Sequence, residues 1–150
     1  MKKLVCLLLS GMMILALTAC GAAPAKSGDV DVDLTRLSST MVYSEVYNMM
    51  TEPDTYMGKT VRMNGQFAIY QMVDENNEII PGKLYFACVI ADATACCQQG
   101  LEFVLSGEHT YPEDYPELGT EITVTGTFGT YEEGGYRYCQ LTEAKLEHVS

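Results

Sequence analysis

Lys59-Thr60-Val61-Arg62-Met63-Asn64-Gly65-Gln66-Phe67 is the stretch on which the fold turns. Val61, Met63, Gly65 and Phe67 alternate with Arg62, Asn64 and Gln66, a period of two that puts the apolar set on one face of a strand. The run extends to about Val73. A glycine inside so long a strand packs no side chain; it marks a bulge or a kink, which a sharply coiled strand requires. Further downstream, apolar runs separated by turn residues predict four more strands. Five strands with a glycine inside the long first one predict a small closed β-barrel.

Asp74-Glu75-Asn76-Asn77 is turn material, and strands are expected at about 83–92, 100–106, 120–130 and 136–148. Glu133-Gly134-Gly135 reads as a hairpin turn. Ahead of the strands, Ser38-Ser39-Thr40 offers an N-cap for a helix over about 40–51. Met41, Val42, Val46, Met49 and Met50 fall near one face at helical spacing, where methionine fills core gaps. Pro53 and Gly58 close that helix. The longest connection lies between strands three and four, where an oligonucleotide/oligosaccharide-binding (OB) barrel carries its helix. Here it contains Pro112 and Pro116 and reads as a loop. The expected class is mainly β: a five-stranded OB-like barrel preceded by one α-helix.

The N-terminus reads differently. Lys2 and Lys3 precede an apolar run from Val5 to Leu17, and small residues then lead to Cys20. A basic start, a short apolar core and a small-residue cleavage site make an export signal. The run is shorter than the roughly 20 residues a membrane-spanning helix needs. Leu17-Thr18-Ala19-Cys20-Gly21 resembles the lipobox of bacterial lipoproteins. That resemblance implies removal of residues 1–19, acylation of Cys20 (palmitate among the chains) and an anchor on the extracytoplasmic face of the cell membrane. Residues 20–37 then form a lipidated tether and 38–150 the domain. The mature chain would hold 131 residues, with 7 Lys and Arg against 20 Asp and Glu, a net charge of −13. No basic cluster offsets that field, which excludes nucleic acid as a partner. The acidity keeps the chain soluble and leaves anchoring to the lipid.

Glu52-Pro53-Asp54-Thr55-Tyr56-Met57-Gly58-Lys59-Thr60-Val61-Arg62-Met63-Asn64-Gly65 resembles the run leading into the first strand of OB-like domains in bacterial exported proteins, of the form P-x-x-Y-x-G-K-x-V-x-x-x-G. The run from Ala91 to Phe103 (ADATACCQQGLEF), followed by Val124-Thr125-Gly126, looks like uncharacterised Firmicutes lipoproteins. More distantly it resembles the extracytoplasmic domain of a two-component permease family. The likeness spans about residues 40–148 and implies fold and compartment but no reaction. In the permease-linked relatives paired cysteines are expected before the Asp-Ala. Here Cys88 precedes Asp92-Ala93 and the Cys96-Cys97 pair follows it, so no role is carried over to the pair.

Once Cys6 is removed and Cys20 acylated, Cys88, Cys96, Cys97 and Cys139 remain. Three readings compete. Four thiolates complete a tetrahedral site for zinc or copper(I), with Asp92 and His109 as further ligands. Export favours disulfides, with Cys88–Cys139 a candidate pair and Cys96–Cys97 a strained, redox-labile one. Plain burial suits Cys88, set between Ala87 and Val89. A cysteine nucleophile would have only His109 or His148 as its base. Tyr111 and Tyr115, in the acidic loop between strands three and four, either line a ligand groove or lid the barrel. The expected function is non-catalytic: a monomeric, membrane-anchored binding or accessory subunit, serving a permease or other envelope protein and handling a thiophilic metal. The alternatives are a protein- or glycan-interaction module with structural cysteines, and a thiol-redox protein.

Overall fold

The computed structural model describes residues 30–74, 76, 78–91, 94 and 96–148. The expected signal segment and Cys20, the expected acylation site, lie outside them. Strand β1 (Val32–Asp33) is followed by a 3-10 turn, helix α1 (Ser39–Thr51), and five long strands: β2 (Thr60–Val73), β3 (Ile79–Ala91), β4 (Gln98–Leu105), β5 (Glu121–Glu133) and β6 (Tyr136–His148). They form one mixed, mainly β sheet in the order β1-β2-β3-β4-β6-β5. A further β2–β5 pairing joins its ends, so the five long strands make a ring. No helix among the described residues is long and apolar enough to cross a membrane.

β2 closes the ring by changing partner along its length. Thr60 to Gln66 pair with β5, and Gln66 to Val73 pair with β3. Gly65 stands at the changeover. A Cβ there would lie 2.5 Å from the Val89 carbonyl oxygen and 2.9 Å from Cys88 Sγ. Only a glycine lets the β3 backbone approach this closely, which is the physical content of the kink expected from sequence. The hairpin turn is also as expected. Gly134 and Gly135 both have positive φ, 58° and 83°, the backbone a two-residue hairpin connection favours.

The inward set of each strand builds one core. Val61, Met63 and Phe67 of β2 meet Cys88, Leu101, Phe103, Ile122, Val124, Phe128 and Leu141. Val46 and Met49 of α1 are fully buried against them, and α1 borders the Gln98 end of β4. At the other end of β4 the 106–120 loop turns over the ring, without a helix, as its prolines predict. It is fastened by the Phe67 N–H donating to Thr120 O at 2.8 Å and the Gly119 N–H donating to Phe67 O at 2.9 Å.

Three local expectations are corrected. Residues 30–37 are part of the fold rather than tether: β1 pairs in parallel with Val61 and Arg62, and Leu34 is buried in the core. Ser38 occupies the N-cap position, yet its hydroxyl makes no capping bond. β3 starts at Ile79, ahead of the Lys83 start expected from sequence, because pairing with Val73 holds it past Pro81 and Gly82. β6 also carries an extra residue near Glu143, whose φ is +49°. Both neighbouring strands register it as a shift, a bulge that bends β6 round the ring.

Candidate functional site

The ring scatters the cysteines. Cys88 sits inside, level with Phe67 and Leu101, and burial pushes its thiol up to about 12. It is protonated at neutral pH and acts as a small core residue. Cys139 is half-buried on β6; its thiol donates to Met49 O at 3.7 Å, and burial raises its pKa. β4 lies between β3 and β6. Two strand spacings put those strands about 9–10 Å apart, beyond the roughly 7 Å that a disulfide spans. The suggested Cys88–Cys139 bridge is therefore not formed. Cys96 and Cys97 are exposed on the loop joining β3 to β4.

The remaining expected ligands do not join them. His109 is on the opposite loop, its Nε2 3.0 Å from Ser106 O and its Nδ1 3.9 Å from Asp114. Asp92 and the side chain of His148 lie outside the described residues. Among the described residues no three His, Cys, Asp or Glu side chains are grouped to hold a metal ion. The set Cys88, Cys96, Cys97, Cys139 and His109 is thus not brought to one point: strand register puts Cys88 inside the ring and the pair on a loop outside it.

Tyr111 and Tyr115 are together, as a lid. Tyr115 stacks on Phe86 at 4.0 Å between centroids and on Phe67 at 6.0 Å; Tyr111 meets Phe86 at 5.7 Å. Such offset ring contacts hold the loop over the core.

A group that the sequence reading missed stands on the outer face of β3, β4 and the β5–β6 hairpin. Lys83 and Tyr85 are two apart on β3 and so share a face, as do Tyr131 and Glu133 on β5. Lys83 Nζ lies 2.8 Å from Glu133 Oε1, and the Tyr85 hydroxyl donates to Glu133 Oε2 at 2.6 Å. The Tyr131 hydroxyl donates to Glu102 Oε2 at 2.6 Å, and its ring stacks on Tyr138 at 5.3 Å. Lys83, Tyr85, Glu102 and Tyr131 line a hollow of about 380 Å³ together with Phe86, Phe103 and Tyr115, and Glu133 stands beside it. Glu102 also lines a second hollow of about 300 Å³, with Tyr70, Ala87, Gly100 and Tyr138. Small residues at Ala87 and Gly100 leave that depression open.

The two carboxylates differ. Bonds from Lys83 and Tyr85 hold Glu133 below its usual range. Glu102, half-buried, is raised, because the cost of burial exceeds the relief from Tyr131. Tyr131 is raised in turn by burial and by the carboxylate it bonds. Aromatic walls, acceptor oxygens and concavity are the ingredients of a ligand site.

A wider groove of about 740 Å³ is lined by Leu37, Arg62, Asn64, Gln66, Glu121 and Thr123 among others. Two of its polar groups are paired: Arg62 with Glu147 at 2.6 Å, and Asn64 with Thr123 at 3.3 Å. It has no aromatic wall.

No family model matches the chain, and no curated protein matches it significantly.

Proposed function

We propose that this chain is a lipid-anchored, extracytoplasmic binding or accessory subunit without catalytic activity, built on an OB-like barrel and meeting its partner through the outer face of β3, β4 and the β5–β6 hairpin. The observation that carries this reading is the tyrosine–carboxylate group around Glu102 and Glu133. In OB barrels the second and third strands and the flanking loops make the ligand face. Among the five long strands here, β3 and β4 are the second and third, and the Gly134–Gly135 turn closes one flank. The ring order supports the OB-like reading: the long first strand pairs with the second and the fourth, and the third pairs in parallel with the fifth.

Hydroxyl-radical footprinting of the mature protein in its own membranes, against the same protein purified in detergent, tests the face. Oxidation of Tyr70, Tyr131 and Tyr138 should fall at least threefold in the membrane sample. Protection confined to the Arg62 groove, or to no face, would sink the assignment. The anchor has its own test. Cys20→Ser should abolish lipid labelling and shift most of the chain from the membrane to the soluble extracytoplasmic fraction. Unchanged membrane retention would overturn the lipid attachment.

A second reading, capture of zinc or copper(I), rests on the exposed, adjacent Cys96 and Cys97. It predicts a footprint centred on their loop, with a metal mass lost on denaturation.

A further inference from the structure

We infer that the hollow lined by Tyr85, Tyr131 and Glu102, with Glu133 bonded to Tyr85 beside it, is a receptor for an alkylammonium group, and that Lys83 occupies part of it as a displaceable internal ligand. This rests on the binding-face reading above and names the chemistry of what that face takes.

The structure already holds one ammonium there. Lys83 Nζ lies 4.8 Å from the Tyr85 ring centroid and 5.8 Å from that of Tyr131, while contacting Glu133. Both rings fall within the distance at which a cation is drawn to an aromatic quadrupole. Two tyrosine rings and a carboxylate around one ammonium are the components from which cation-recognising sites are made.

The occupancy is partial. The Lys83 side chain is 58% exposed, so its hold is that of a surface contact. Glu102, on the deeper side, has no ion pair with any described residue; its carboxylate accepts from Tyr131. A half-buried carboxylate beside an open hollow lacks a cation, and a second ammonium entering between Glu102 and the Tyr131 ring would supply it. The adjoining hollow, which shares Glu102, gives room for the alkyl chain along Ala87 and Gly100. The net charge of the chain, −11, draws cations and repels anions.

Two sources share this chemistry: a free polyamine, and a lysine side chain displayed by an envelope protein. They differ at the far end of the alkyl chain. A diamine ends in a second ammonium; a lysine side chain ends in a peptide.

The test uses the mature full-length chain and three probes: cadaverine, Nα-acetyl-lysine methylamide and uncharged 1-pentanol. Binding is followed by NMR shifts of the tyrosine rings. Both amines should bind saturably and pentanol should not. Lys83→Met removes the internal competitor and should tighten amine binding by about fivefold, the worth of an exposed ion pair. Glu102→Gln keeps the size and the acceptor oxygen for Tyr131, and should weaken binding at least tenfold. Cadaverine binding tenfold or more above the lysine amide marks the free polyamine; comparable affinities mark the side chain. Amine binding unchanged or weakened in Lys83→Met, or pentanol binding as well as the amines, overturns the inference. Both substituted side chains are on the outer face, and a thermal melt of each variant checks folding. A membrane footprint on this face with no amine binding defeats the ammonium chemistry and leaves the face standing. Amine binding without that footprint does the reverse.

Discussion

Gly65→Ala is expected to cost about 3 kcal/mol of folding free energy, the upper part of the range for overpacking a well-filled site. The new Cβ would lie 2.5 Å from the Val89 carbonyl oxygen. That oxygen is backbone, held by the β2–β3 pairing at Gln66 and Val89, and cannot rotate aside. Either β3 withdraws or β2 straightens, and both loosen the ring where β2 changes partner. A domain of this size has roughly 5–15 kcal/mol in total, so the loss is a large fraction. Chemical denaturation of the two proteins measures it. Gly129→Ala is the control: nothing lies within 4 Å of its added Cβ, and its stability should stay within about 0.5 kcal/mol of the parent. Equal stability of Gly65→Ala and Gly129→Ala would mean that the close approach of β2 and β3 is wrong.

Phe67→Ala should be at least as damaging, at about 3–5 kcal/mol. Phe67 is 1% exposed and lies 6.0–6.2 Å from the rings of Phe86, Phe103 and Tyr115. Its loss leaves a cavity lined by rings and also removes a surface on which the 106–120 loop rests. The effect should therefore be local as well as global. Hydrogen exchange in 106–120 should rise beyond what lowered stability alone produces. Met49→Ala, cut from the other end of the core beside Cys139, should destabilise without that selective loosening. A loop equally protected in Phe67→Ala and Met49→Ala would show that Phe67 does not hold the lid.

Much of the fold could be read in the chain because its strands alternate cleanly. Val61, Met63 and Phe67 point inward as their spacing requires, and the Gly134–Gly135 turn has the backbone its residues favour. β1 could not be read: a two-residue strand is defined by the edge of β2 it joins, not by its own sequence. The early start of β3 was hidden by Pro81 and Gly82, residues that normally end strands. The candidate site was less legible. Cysteines attract notice by type, yet strand register decides whether a thiol faces the core, as Cys88 does, or a loop, as Cys97 does. The tyrosine–carboxylate face was written locally as Lys83-x-Tyr85 and Tyr131-x-Glu133. Glu102 comes to Tyr131 only because β4 runs parallel to β6, and no spacing within one strand reveals that.

An open sheet of five long strands would present two long rows of unpaired backbone groups, ready to accept a strand from another copy. Joining Thr60–Gln66 of β2 to Glu121–Thr127 of β5 uses much of both rows inside one molecule. β1, two residues long and ending in Asp33, lies against β2 and is too short to template stacking. Copies crowded on a surface then present one another with shorter stretches of open backbone than an unclosed sheet would.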